Sequence, residues 1–221
     1  MLIEHSTPKV PAHNSAYYRM TGNELLAQLL QKVHSCSIRN GNELENLAFE
    51  HSKNKNKTKD YEFNGTNWIQ PAPGETNLVL KFMVKKGLFS KKGTHVDFAL
   101  LTSKDVYLVE LKDGCNFDTK KSTGEYEKIS KVKDYLEEND PFQRTYHKYI
   151  VSWNATKIEE ISFKDERAKN ENMLMVGKDF AELIDVDYNK VNQLRNGDRI
   201  QNEEYVLTEV VKIAIARGIK V

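Results

Sequence analysis

Cysteine is nearly absent: Cys36 and Cys115 are the only two among 221 residues, far apart and outside any CxxC spacing. A disulfide framework or a zinc site built on paired cysteines is thereby excluded, and reduced thiols are expected. No apolar run approaches the roughly 18 residues of a bilayer-spanning helix, so no membrane partner is expected. The opening stretch MLIEHSTPKVPAHNSAYY has no basic segment leading into an apolar one. A secretory leader is therefore not expected, and the cytoplasm is the expected compartment. The chain has no HExxH, GxSxG, Walker A or GxGxxG pattern, so metalloprotease, α/β-hydrolase, P-loop and dinucleotide readings lack support. An excess of charge is lacking too, because 33 Lys and Arg face 32 Asp and Glu for a net +1. Such a chain is no polycation that binds nucleic acid indiscriminately.

What is present is a polar globular composition, 39% hydrophobic and 29% charged, with a mean hydropathy of −0.65. The length suits one domain over 1–221 with a core that needs no staple. Charge is segregated locally: KNKNKTK at 53–59, VKKG and SKKG between 84 and 93, and TKKS at 119–122 are basic, while YLEEND at 135–140 is acidic. Any anion-binding surface must come from such runs, each of which is otherwise a solvated loop.

Apolar spacing predicts helices over 22–34 and 42–52, the first opened by a Thr-x-x-Glu capping box. Three strands follow at 77–87, 94–101 and 106–112, then a polar loop over 113–138 that leads into a short helix. From Pro141, the residues Phe142, Tyr146, Tyr149, Ile150 and Trp153 fall on one helical face, with Asp140 as its cap. A buried strand at 172–177, a polar helix at 185–196 and an amphipathic helix at 203–217 complete the chain. This order predicts an α/β domain with a central mixed β-sheet flanked by helices.

The chemistry concentrates in HVDFALLTSKDVYLVELKDG, residues 95–114, where Asp97, Glu110 and Lys112 interrupt two apolar strands. If TSKD closes the hairpin symmetrically, Leu101 lies opposite Val106, Asp97 opposite Glu110 and His95 opposite Lys112. Like charges directly opposite repel. Three neutralisers are available: a shared proton, Lys112 as a bridge, or a divalent cation between the carboxylates. An exposed pair on the wet face of a hairpin is the ordinary alternative, but VDFALL and VYLVEL are apolar on both faces, as buried strands are.

Asp97, twelve intervening residues, then Glu110-Leu111-Lys112 at the end of an apolar strand resembles the PD-(D/E)XK nuclease superfamily, and among it the type II restriction endonucleases. The family's usual proline before the aspartate is Val96 here. The resemblance implies a restriction-endonuclease-like fold with its catalytic core at about 40–155, and a Mg²⁺ held by Asp97, Glu110 and the Leu111 carbonyl. A glutamate on the preceding helix often completes such a site, and Glu45 matches it best among Glu43, Glu45 and Glu50. Lys112 would orient the attacking water. Gln143 with Tyr146 is similar to a pair that some members carry on the helix after the motif.

Double-stranded DNA is then the implied substrate. Lys120 and Lys121, just past the motif, and Lys85, Lys86, Lys91 and Lys92, just before it, would neutralise phosphates. Base reading falls to the polar segment 185–200, with Asn192, Gln193, Arg195 and Arg199 as the side chains able to reach base edges. Cutting both strands of a symmetric site needs two centres, which implies a homodimer. A repair nuclease of the same fold and a DNA-binding protein with merely structural carboxylates are the other readings.

Overall fold

The structure is a computed structural model that describes residues 2–8, 10–88 and 93–219. Lys91 and Lys92 lie outside the described residues. In chain order the elements are α1 (Ala16–Thr21), α2 (Glu24–His51), β1 (Asn56–Phe63), β2 (Asn77–Val84), β3 (Thr94–Leu101), β4 (Asp105–Lys112), α3 (Thr119–Asn139), β5 (Thr145–Ser152), α4 (Glu166–Asn170), β6 (Leu174–Val176), α5 (Gly177–Leu183) and α6 (Tyr188–Ala216). The strands form one six-stranded sheet in sequential order. Pairs β1–β2, β4–β5 and β5–β6 are parallel, and β2–β3 and β3–β4 are antiparallel. The fold is thus α/β with a mixed sheet flanked by helices, as its sequence predicts. Contacts gather into two units, one of the chain through Leu44 together with the segment from Asn189, and one of Glu45–Tyr188 that holds the whole sheet.

Neither Cys36 nor Cys115 is in a disulfide, and among the described residues no helix is long and apolar enough to cross a membrane. The three central strands fall within a few residues of their expected ranges. Other expectations fail for physical reasons. Asn40 and Gly41 do not break the first helix, which runs unbroken through 28 residues; an isolated glycine costs a helix only about 1 kcal/mol.

The basic run 53–59 is not a free loop but leads into the edge strand β1, whose lysines suit an edge that must not pair further. Lys57 Nζ donates to the Phe49, Glu50 and Ser52 carbonyls at 3.0–3.1 Å, the last acceptors of α2. Likewise the segment 113–138 is largely helix, because Ser122, Tyr126, Ile129, Val132 and Leu136 form a buried stripe at spacings of three and four.

The chain after Pro141 is strand rather than helix. Asp140 caps a turn instead, accepting from Phe142 N at 3.0 Å and holding Arg144 Nε at 2.7 Å. Positions 146, 149, 150 and 153 keep helical spacing, but the β-branched and aromatic content and the parallel pairing with β4 make this segment β5. Gln143 therefore sits in a turn at φ 52° and Tyr146 donates its hydroxyl to Asp140 at 2.9 Å, so the expected helical pair does not form. His147, on β5, stacks on Tyr107 and lies 3.0 Å from Asp105. At the C-terminal end, the two expected helices are one, Tyr188–Ala216.

The end of β5 is packed without slack. A Cβ on Gly177 would lie 2.1 Å from the Trp153 carbonyl oxygen, which also accepts from the Tyr188 hydroxyl at 3.0 Å. Backbone cannot yield as a side chain tip can. We expect Gly177→Ala to destabilise the fold by about 1–3 kcal/mol, read as a lower denaturation midpoint at unchanged denaturant slope; an unchanged midpoint would contradict this packing.

Candidate active site

The β3–β4 ladder pairs Leu101↔Val106, Leu100↔Tyr107, Ala99↔Leu108 and Phe98↔Val109. That is the register of symmetric closure, and the turn is sealed by Thr102 N donating to Asp105 O at 2.8 Å. Counting on, Asp97 and Glu110 are the next positions, and Val96 with Leu111 would be the next hydrogen-bonded pair. The ladder stops instead. Leu111 N donates to Asp97 Oδ2 at 2.8 Å, so the carboxylate replaces a backbone carbonyl and the strands part at this level. N–H and C=O of one strand residue point to the same side, so the Leu111 carbonyl also faces the opening. His95 lies beyond the ladder and is exposed, so its expected pairing with Lys112 is not made.

A crease across three strands lets Asp97 reach along the sheet. Asp60 and Lys81 hold φ values of 54° and 59°, and the row Asp60, Lys81, Asp97 is skipped in pairing while both flanks keep register. Past this row Phe82 and Val96 pack in the same core cluster as Val79, Ala99 and Leu101, although strict alternation would send them to the other face. Non-glycine residues in the left-handed region cost on the order of 1 kcal/mol or more each, and persist only where surroundings enforce them.

Both acids are buried, Asp97 at 6% and Glu110 at 1% exposure. Lys112 Nζ joins them, 2.6 Å from Glu110 Oε1 and 3.6 Å from Asp97 Oδ2. Two further residues belong to the same cluster and were not foreseen. On α3, Lys128 Nζ lies 2.6 Å from Glu110 Oε1, and Glu125 spans the two ammonium groups, 3.3 Å from Lys112 and 2.9 Å from Lys128. They flank the buried stripe of α3 at i and i+3, a placement invisible while that segment is read as loop. Glu110 Oε2 is buried with no hydrogen-bond partner.

Electrostatics follow from this burial. Desolvation first, then the facing Asp97 charge, pushes Glu110 up to about 7 against the pull of Lys112 and Lys128. Asp97 is raised by burial as well, opposed mainly by Lys112. Burial alone would lower Lys112, but Glu110, Asp97 and Glu125 hold its ammonium above the ordinary lysine value. Glu125 would likewise rise on burial, but Lys112 and Lys128 keep it below its ordinary range.

Glu45 sits half-buried on α2. Burial raises its carboxyl, and the charges of Lys112, Lys81, Glu110 and Lys128 act on it. Glu50 is exposed, whereas Glu43, like Glu45, is half-buried. Lys120 and Lys121 are exposed on the first turn of α3, as is Lys85 before β3. Asn192, Gln193, Arg195 and Arg199 all lie on α6, in the other unit.

Asp97, Glu110 and the Leu111 carbonyl offer only oxygen atoms as donors, the chemistry that suits a hard cation rather than a soft one. The unpartnered Glu110 Oε2 fits that reading, since a buried acceptor left unsatisfied costs about 1–3 kcal/mol. Among the described residues no group of three or more His, Cys, Asp or Glu is gathered as a metal cage. Mg²⁺ needs none, binding through one or two carboxylates while keeping waters and taking substrate phosphate.

No protein-family model and no solved structure matches the chain. In sequence it is 31% identical over 210 residues to the type II restriction enzyme HhaII of Haemophilus parahaemolyticus, across 92% of this chain and 91% of that one.

Proposed function

Since the chain belongs to the family of the type II restriction enzyme HhaII, we propose that it is a Mg²⁺-dependent endonuclease that hydrolyses both strands of double-stranded DNA at a defined sequence. The observation that carries this reading is the convergence of two buried carboxylates on one lysine where β3 and β4 part. An ordinary ion pair has no reason to be there. Removing two acids from water is costly, and an ammonium shared among three carboxylates leaves an acceptor oxygen unmatched.

Asp97, Glu110 and the Leu111 carbonyl would hold the metal, with Glu45 as a further carboxylate. A bound Mg²⁺ supplies Lewis acidity at the scissile phosphate. Lys112, kept protonated by its neighbours, acts as donor and charge rather than as base. It orients the attacking water and offsets the negative charge that grows on the phosphate. In-line attack then expels the 3′ oxygen.

Lys120 and Lys121 fix the DNA backbone through their charge. Asn192, Gln193, Arg195 and Arg199 read base edges in the major groove, the arginines preferring guanine and the amides adenine. One chain carries one centre, so a homodimer cuts the two strands. We read the whole chain, 1–221, as one such functional domain working in the cytoplasm.

Incubating the purified chain with plasmid and Mg²⁺, with and without EDTA, tests this. Discrete fragments that vanish with EDTA are expected. A smear would instead mark a repair or non-specific nuclease, and retained DNA binding without cleavage would mark a binding protein.

A further inference from the structure

The reading of Asp97, Glu110 and Lys112 as a metal-dependent site leaves Glu125 and Lys128 without a role. Their geometry is too specific for surface charges. Glu125 places one oxygen on each ammonium, Oε1 at 3.3 Å from Lys112 and Oε2 at 2.9 Å from Lys128. Its side chain is 16% exposed, against 48% for Glu127 on the same helix. Lys128 in turn shares Glu110 Oε1 with Lys112, both at 2.6 Å. Four charges of alternating sign therefore close a ring, Lys112 to Glu110 to Lys128 to Glu125 and back, two from β4 and two from α3.

We propose that Glu125 is a positioning residue that keeps Lys112 over the site when Asp97 and Glu110 turn to a divalent cation, and that Lys128 is the counter-charge which occupies Glu110 until the cation displaces it. This inference rests on the site being a metal site. The reason is stoichiometric. In the absence of metal, Lys112 has three carboxylate neighbours, Glu110, Glu125 and Asp97. Two of these are the cation's own donors, so its arrival leaves Glu125 as the remaining acidic neighbour. Without it, two ammonium groups would compete with the cation for Glu110 or swing out to solvent. α3 suits the task because its buried stripe from Ser122 to Leu136 anchors it against the sheet. An i,i+3 pair on its flank is thus fixed relative to β4.

The two residues are expected to act in opposite directions on the cation. Binding of Mn²⁺ alone to the full chain, followed by electron paramagnetic resonance, should weaken roughly tenfold to a hundredfold in Glu125→Gln, the range found for groups that orient metal ligands. Lys128→Met should tighten it several-fold by removing a competitor for Glu110. Single-turnover cleavage by Glu125→Gln at saturating Mg²⁺ should fall by at least about tenfold with DNA affinity unchanged, and Glu125→Asp should recover part of both losses.

Thermal melts of each variant within a few degrees of the parent would exclude misfolding, and a Glu125→Gln that melts early is replaced by the Glu125→Asp and Lys128→Met pair. If Asp97→Asn loses Mn²⁺ while Glu125→Gln and Lys128→Met both bind it as the parent does, the inference falls and the metal site stands. If the parent itself binds no Mn²⁺, both fall.

Discussion

Alanine at Asp97 or at Lys112 should lower DNA cleavage by on the order of 10²–10³-fold or more, with binding of the same duplex in Ca²⁺ held within a few-fold. The two variants fail for different reasons. Asp97 has two tasks, because Oδ2 accepts from Leu111 N at 2.8 Å while the group's charge faces Glu110 and Lys112. Asp97→Ala therefore also strands a buried amide, at about 1–3 kcal/mol of stability. Asparagine preserves the acceptor and removes the charge, so Asp97→Asn isolates the chemical part. Lys112→Ala leaves Glu110 paired with Lys128, and the fold should tolerate it better than the chemistry does. Single-turnover rates and fluorescence anisotropy separate these effects. A rate within about threefold of the parent in either variant would remove that residue from the mechanism.

The half of the site on β3 and β4 was readable because two constraints agree. Symmetric closure of TSKD fixes the register through loop length, and the apolar runs on either side of it mark both strands as buried. That register alone places Asp97 and Glu110 at facing positions. The other half was hidden by dilution. Along 119–139 five buried residues are spread among sixteen others, ten of them charged, so the helical stripe that carries Glu125 and Lys128 into place does not stand out.

β5 reads as a helix because Tyr146, Tyr149, Ile150 and Trp153 fall at helical spacing, while a strand buried on both faces toward its end carries no period of 2 to oppose it. Lysine-rich 53–59 reads as a solvated basic run, yet Lys57 caps α2 and Lys59 Nζ donates to Asn46 at 2.7 Å. The crease at Asp60 and Lys81 had no signal, since neither position is the glycine that a positive φ favours. Its effect, releasing Asp97 toward Leu111, is a property of three strands together.

Glutamine at Glu110 should alter the pH dependence of stability by about 3 kcal/mol. In the folded chain the Glu110 carboxyl is raised from 4.5 to about 7, chiefly by burial. A raised carboxyl binds its proton more tightly folded than unfolded. Its contribution is fully present below about pH 4.5 and is lost as pH rises through about 7. Asp97 is raised too and works in the same direction. In EDTA the parent should therefore lose stability between pH 5 and 8, while Glu110→Gln, which cannot ionise, is spared that share.

The difference between variant and parent is the useful quantity, because whatever the amide gains or loses against Lys112 and Lys128 is the same at both pH values. Urea melts at pH 5 and 8 measure it, and a difference constant to within about 0.5 kcal/mol, the scatter of unrelated surface changes, would mean that Glu110 is ionised throughout. Saturating Mg²⁺ should reverse the parent's trend, since a cation that binds the ionised carboxylates stabilises the folded chain more as protons leave. Glu110→Gln should lose most of that reversal along with the ligand.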